Sequence, residues 1–372
     1  MRAAPETCDV CVIGLGPAGS SAAIAAARAG VRVIAIDRRR EAGLPVQCAE
    51  FVPMMLGVDS GPVSSALIQP IAAMETFVES AHDRHSADFR GRMIDRARFD
   101  RALVGQAEAA GVEVRLGCEV RALGADGVVR LADGSAILPR VLIGGDGPRS
   151  RVGAAIGCLN SVLVETRQVS VPLIRPQEST DIFLSTRLAG GYAWLFPKGD
   201  VANVGLGIDR RWRNRLKPEL DNLLDLLAQR GTIGREVFGH TGGAIPVGGL
   251  VGLVGRLGEV RVLLAGDAAG LANPVTGAGI PAACHSGTMA GEAAALIVRG
   301  DPAAVADYHD EIEALFGASL RRAVDRREEL LAHFEAATAA PDDLRRGWIA
   351  YPAYWTATAL QNGEVRHELL EA

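Results

Sequence analysis

Six cysteines in 372 residues, at positions 8, 11, 48, 118, 158 and 284, are too few and too scattered for a disulfide framework. Positive charge is not in excess either. Lys and Arg number 39 against 44 Asp and Glu, a net charge of −5. That excludes broad electrostatic capture of nucleic acid or anionic lipid as the main driver of binding. No apolar run reaches the ~18 residues of a membrane-spanning helix. The best candidate, residues 20–36, is broken by Arg28 and Arg32. The opening Met1-Arg2-Ala3-Ala4-Pro5-Glu6 lacks the apolar core of a secretory signal, so the expectation is a cytoplasmic protein, with a peripheral membrane contact left open. There is no repeat and no Gly-x-Ser-x-Gly elbow. No metal is expected. Cys8 and Cys11 are three apart in a strand, so their side chains diverge, and no second Cys-x-x-Cys exists. His82-Asp83-Arg84-His85 has no companion ligand cluster and reads as a solvated surface turn.

What is present is apolar content, 48%, and glycine, 44 residues, which suit a large core and tight turns. The length suggests about two domains. Asp9-Val10-Cys11-Val12-Ile13 reads as a buried parallel strand, Pro17 to Ala29 as a helix, and Val31 to Ile36 as a second strand, together a β-α-β unit. Arg96 to Ala110 is helical, and Val112–Leu116, Val128–Leu131 and Arg140–Gly145 are strands. From about Ser161 to Ile245 the period changes to alternation, as in Val169–Leu173 and Val204–Ile208, which predicts a separate antiparallel sheet. Val262–Ala265 restores a buried parallel strand, Pro281–Val298 is a helix, and 302–336 is helical. The fold class is α/β: a discontinuous Rossmann-like domain (1–160 and 246–300), an inserted antiparallel β-sheet domain (161–245) and a helical C-terminal segment (301–372).

Two glycine motifs carry the chemistry. Gly14-Leu15-Gly16-Pro17-Ala18-Gly19 joins the first strand to the first helix, and Asp37 ends the second strand. Gly14 makes the turn, Gly16 admits a pyrophosphate, Gly19 lets helix pack on strand, and Asp37 accepts from ribose hydroxyls. The helix N-terminus offers free N–H groups. The second motif, Gly266-Asp267 through Pro274, Gly277 and Gly279 to Ile280, again runs from a buried strand into a helix. Asp267 can bind a polyol hydroxyl, and the loop can pack on a flat ring.

These stretches resemble an FAD-dependent oxidoreductase of the glutathione-reductase-like fold, within the geranylgeranyl reductase group. Gly14–Gly19 with Asp37-Arg38 is similar to the FAD fingerprint. Asp95 to Leu103 resembles the Arg-x-x-Phe-Asp helix whose Arg, here Arg96, faces the flavin. Gly145-Asp146-Gly147-Pro148-Arg149-Ser150-Arg151 resembles the Asp-Gly segment, and Gly266–Ile280 the flavin-proximal loop. The resemblance implies FAD contacts at Gly14, Gly16, Ala18, Gly19, Asp37, Arg38, Gln47, Arg96, Val120, Asp146, Gly147, Asp267, Pro274, Gly277, Gly279 and Ile280.

Tyr192-Ala193-Trp194-Leu195-Phe196-Pro197-Lys198 resembles the group's substrate-cavity motif, and Pro45–Glu50 the segment that brings a Cys, here Cys48, to the substrate side of the flavin. Ala49 stands where the group has Gly. Tyr192, Trp194 and Phe196 alternate and share one strand face, which serves as pocket wall, as core, or as both. Cys48 reads either as a small buried hydrophobe or as a functional thiol. Trp348, Tyr351, Tyr354 and Trp355 concentrate aromatics near the C-terminus, as packing, lid, partner surface or interfacial anchor.

The implied activity is hydride transfer from flavin N5 to a carbon–carbon double bond of an apolar, isoprenoid-like substrate. A proton would come from Cys48, Tyr192 or water. Only one dinucleotide fingerprint is visible, so the electron donor is NAD(P)H as a visiting ligand or a reduced protein carrier. The alternatives are a flavin-dependent monooxygenase acting on an aromatic ring or a protein side chain, and a non-enzymatic electron-transfer partner.

Overall fold

The structure, a computed structural model, describes residues 4–54 and 61–356. Its first sheet runs, in spatial order, Val254–Leu257, Val260–Leu264, Ala136–Gly144, Glu6–Ile13, Val33–Asp37 and Glu113–Leu116. The last five of these pair in parallel. Val10, Cys11 and Val12 are wholly buried, as are Ile34, Ala35 and Ile36, which is why these strands read as unbroken apolar runs. Cys8 and Cys11 are both buried in this core as free thiols.

Helices Pro17–Arg28 and Ile280–Val298 cover one face of the sheet. They touch backbone to backbone, because a side chain at Gly287 would meet Ala18 O at 2.1 Å and one at Gly291 would meet Ala22 O at 2.2 Å. Two glycines four residues apart lie on one helix face, so the whole seam is shaved. This contact brings together the two glycine loops that open these helices, although about 250 residues separate them.

The second sheet runs Gly239–Thr241, Leu163–Pro172, Val201–Asp209, Tyr192–Lys198, Ser179–Leu184, Ala73–Val78 and Ala81–Ser86. It departs from the expected organisation in two ways. Residues 73–86, assigned to the first domain, belong here, and Ala73–Val78 pairs with Ser179–Leu184 in parallel. The inserted sheet is therefore mixed. Pairing across about a hundred residues leaves no trace in local periodicity. A three-stranded sheet of Phe51–Pro53, Gly91–Ile94 and Leu67–Ile71 adjoins it.

His82-Asp83-Arg84-His85 is not a turn but part of the strand Ala81–Ser86. A register shift between Thr76 and Phe77 leaves Asp83 as the bulged residue. His82 and His85 thereby reach the same carboxylate, Glu75, at 2.9 and 2.6 Å.

The predicted helix 302–336 is continuous but contains a π turn, Glu313–Gly317, between Ala304–Ile312 and Ala318–Glu335. Two short helices follow, Pro341–Arg346 and Pro352–Trp355, folded back on the second sheet. Arg326 fastens this strap by donating to the carbonyls of Ala353 at 2.9 Å, Tyr354 at 3.1 Å and Thr356 at 2.6 Å. At its other end Arg345 and Tyr351 both bind the bulged Asp83. The part of the C-terminal segment beyond residue 356 lies outside the described residues. Among the described residues no helix is long and apolar enough to cross a membrane.

Candidate active site

The first glycine loop has the shape its sequence promises. Gly14 sits at φ +90°, and a side chain at Gly19 would strike Gly14 O at 1.7 Å. A side chain at Gly16 would meet nothing within 4 Å. The loop is thus tight on its protein side and open at Gly16. Gly16 precedes the helix without a side-chain cap, leaving N–H groups for a ligand. Asp37 accepts from Leu15 N at 2.7 Å and Arg39 N at 2.8 Å, which fixes its carboxylate beside the loop. Arg38 is exposed at the strand end.

The second loop follows the same plan. Gly266 and Gly277 have φ of +61° and +69°. Asn273 folds the loop by accepting from Val275 N and Thr276 N, both at 3.0 Å. Pro274 is buried, and Gly279 opens the helix from Ile280, again without a side-chain cap. The Asp267 carboxyl is enclosed here. Burial pushes it up to about 6, against the opposing charge of Arg96, and no hydrogen bond to it is among its influences. Asp146 differs, since its carboxyl is satisfied inside its own loop by Ser150 Oγ, Arg151 N and Val152 N. Gly147 has φ +83° with nothing within 4 Å of a side chain there. Val120 is buried, its carbonyl held by Arg151.

An open cradle at Gly16, two uncapped helix N-termini and the half-buried Asp267 carboxyl beside the second loop fit FAD. Gly14, Gly16, Ala18 and Gly19 would hold its pyrophosphate, Asp37 a ribose and Asp267 the polyol chain. The loop Pro274–Gly279 would meet its ring.

Arg96 opens the helix Arg96–Ala109. It grips Asp100 in two-point fashion, at 3.1 Å from Nε and 3.1 Å from Nη2, and its charge lies near the Cys48 side chain. Burial works against its charge, but Asp100 and Cys48 outweigh burial and raise its pKa above the ordinary value. Half-buried Cys48 also accepts at Sγ from Glu50 N at 3.1 Å. Gln47 is exposed and held by Arg39 at 3.1 Å.

Tyr192, Trp194 and Phe196 do share one strand face, with Ala193 and Leu195 on the other. That face is covered. Trp348 from the strap lies 4.8 Å from the Tyr192 ring, and Phe51 lies 5.5 Å from Phe196. Trp194 and Phe196 are 6% and 5% exposed, so both are packed. The Tyr192 hydroxyl donates to Thr276 O at 2.6 Å, tying this face to the flavin-proximal loop, and burial raises its pKa. A 380 Å³ hollow lined by Phe77, Arg175, Asp181 and Arg230 lies on the opposite face of the sheet, away from these loops.

The structure thus gathers Cys48, Arg96 and Asp267, and joins Tyr192 to the flavin-proximal loop. Sequence reasoning missed Glu50, Gln168, Asn203 and the contact of Trp348. Glu50 was visible only as the acid two places after Cys48. Lys198 stood in the quoted motif without a role, and it pairs with Glu50 at 2.6 Å.

Residues 7–173 match the FAD binding domain family, and residues 164–243 match the geranylgeranyl reductase catalytic domain. A digeranylgeranylglycerophospholipid reductase of Methanosarcina acetivorans is 34% identical over 310 residues, covering 77% of this chain and 74% of that protein. One from Methanopyrus kandleri is 32% identical over 350 residues, 85% of each. Among solved structures, a geranylgeranyl bacteriochlorophyll reductase-like protein from Thermoplasma acidophilum superposes with a TM-score of 0.77 at 24% identity, over 99% of this chain and 100% of that one. A probable FAD-dependent monooxygenase from Pseudomonas aeruginosa shares the fold at a TM-score of 0.67 and 19% identity, over 91% of this chain and 100% of that one.

Proposed function

The chain belongs to the geranylgeranyl reductase family of FAD-dependent oxidoreductases, and from that premise we propose that it saturates carbon–carbon double bonds of an isoprenoid substrate. Bound reduced FAD supplies the hydride. An isolated alkene is a poor hydride acceptor, so the protein must place a proton donor at the other carbon. Cys48 fills that role. Its Sγ accepts from Glu50 N–H at 3.1 Å, and the Arg96 guanidinium lies near enough to attract a negative sulfur, so the charge left after proton release is stabilised by the protein. Tyr192 is less suited, because its proton is engaged with Thr276 O. The packed Tyr192, Trp194 and Phe196 face is tied to the flavin-proximal loop through the Tyr192 hydroxyl and helps keep water out. Electrons reach the cofactor from NAD(P)H or a reduced protein carrier.

The carrying observation is the Glu50 N–H held at 3.1 Å from Cys48 Sγ with the Arg96 charge close by. The test reduces purified flavin-loaded protein with dithionite under argon and adds geranylgeraniol in detergent. Mass spectrometry should find two hydrogens gained per double bond. A substrate that stays unchanged under argon and gains oxygen in air sinks the proposal in favour of a monooxygenase.

A further inference from the structure

Glu50 is 4% exposed and carries the densest set of bonds at the site. Its Oε2 accepts from Lys198 Nζ at 2.6 Å and Asn203 Nδ2 at 2.9 Å, and its Oε1 accepts from Arg96 N at 3.0 Å. Asn203 is itself fixed by Ser170 Oγ at 2.8 Å and reaches Ala49 O at 3.3 Å. The backbone of residue 50 lies at φ +69°, in the left-handed region that residues with side chains seldom occupy. Its carbonyl accepts from Ile94 N at 2.9 Å, and its N–H points at Cys48 Sγ. Glycine would take this conformation without strain. A buried acid stands here instead, and its partners come from the second sheet and from the helix that carries Arg96.

We propose that Glu50 is the positioning residue for Cys48: its clamped carboxylate holds the strained turn that aims the residue-50 N–H at the sulfur and keeps the Arg96 backbone, hence its guanidinium, alongside. The proposal rests on the reading of Cys48 as proton donor. The proton leaves Cys48 for the substrate carbon, the S–H bond breaks as the C–H bond forms, and the negative sulfur is met by the Glu50 N–H and the nearby Arg96 charge until solvent reprotonates it.

Two readouts test it on the flavin-loaded full chain. The first is the pH profile of Cys48 alkylation by iodoacetamide, resolved by peptide mass spectrometry. Losing the carboxylate charge alone would move its midpoint down, because a nearby anion opposes thiolate formation. Losing the aimed N–H moves it up. Glu50→Ala, which removes the clamp and cannot hold φ +69° without strain, is expected to move the midpoint up by about half a unit or more with FAD content retained. A lowered or unchanged midpoint overturns the proposal. Should Glu50→Ala prove insoluble, Asn203→Leu, which unlatches Glu50 Oε2 without changing any charge, should move the midpoint the same way.

The second readout is a double-mutant cycle in geranylgeraniol turnover. Glu50→Ala should cost about tenfold when Cys48 is present and less than about twofold in a Cys48→Ser background. Fully additive losses mean that Glu50 acts independently, and they overturn the proposal. If Cys48→Ser turns over as wild type, the proton-donor reading fails, while the alkylation profile still decides whether Glu50 positions the sulfur.

Discussion

The indole N–H of Trp194 donates to Gln168 Oε1 at 2.9 Å, and the same amide donates from Nε2 to the carbonyl of Cys48 at 3.4 Å. The aromatic face and the thiol loop are thus linked through one buried glutamine. Trp194→Ala should cost about 3–5 kcal/mol, because it opens a cavity in a packed cluster and strands Gln168. Thermal melting and FAD content of the same sample check this. Near-native melting with weakened substrate affinity would instead mean that Trp194 is an open pocket wall.

Gly16→Val should abolish FAD binding while leaving the apoprotein folded, since a side chain there meets only open space. Gly19→Val should fail to fold, because its side chain would collide with Gly14 O. Circular dichroism and titration with FAD separate the two outcomes. A Gly16→Val protein that binds FAD normally would show that the loop does not cradle the pyrophosphate.

Tyr192→Phe removes the hydrogen bond to Thr276 O and no needed proton. Turnover should fall less than about tenfold, whereas Cys48→Ser should lose about a hundredfold or more, the scale of general acid catalysis. The reverse ranking would make Tyr192 the donor.

In flavin-free protein Asp267 should make stability depend on pH. Its folded value of about 6 lies above the ordinary 3.8, so the folded state binds more protons between these values. Stability contributed by this group therefore falls as pH rises from about 4 to about 6, by at most ~3 kcal/mol. Asp267→Asn should melt higher than wild type at pH 8, and the gap should shrink toward pH 4. A gap that is constant with pH refutes the assignment.

Arg327 and Asp209 form a buried pair at 2.8 Å between the C-terminal helix and the second sheet. Burial lowers the Arg327 pKa, partly offset by Asp209. Asp209→Ala leaves a buried cation unpaired and should cost about 3–5 kcal/mol. Arg327→Met should cost less, because Asp209 keeps Arg211 at 2.9 Å. Urea denaturation of both variants gives the order.

The parts of this protein that could be read from its sequence are those encoded locally. The Gly14–Gly19 loop, its flanking strands and the Asp267 loop each lie within a few dozen residues and carry their own punctuation. The shared face of Tyr192, Trp194 and Phe196 follows from a period of two. What escaped depends on distant pairings. The hairpin Ala73–Val78 and Ala81–Ser86 joins a sheet whose remaining members begin at Leu163, and nothing local gives Glu50 a role until Lys198 and Asn203 are placed against it. The bulge at Asp83 turned an expected surface turn into the anchor of the strap, because a register slip cannot be seen in one strand alone.

The strap has a consequence for biosynthesis. The strands around Trp194 and Phe196 are complete once residue 209 has left the ribosome, but Leu344, Trp348 and Tyr351, which cover that face, follow more than a hundred residues later. During the interval a broad aromatic surface stands bare on a nascent chain. Chaperone binding should therefore peak at nascent lengths that expose the second sheet without its cover, and a stop codon just before Trp348 should yield an aggregating product although every residue expected to hold FAD is present.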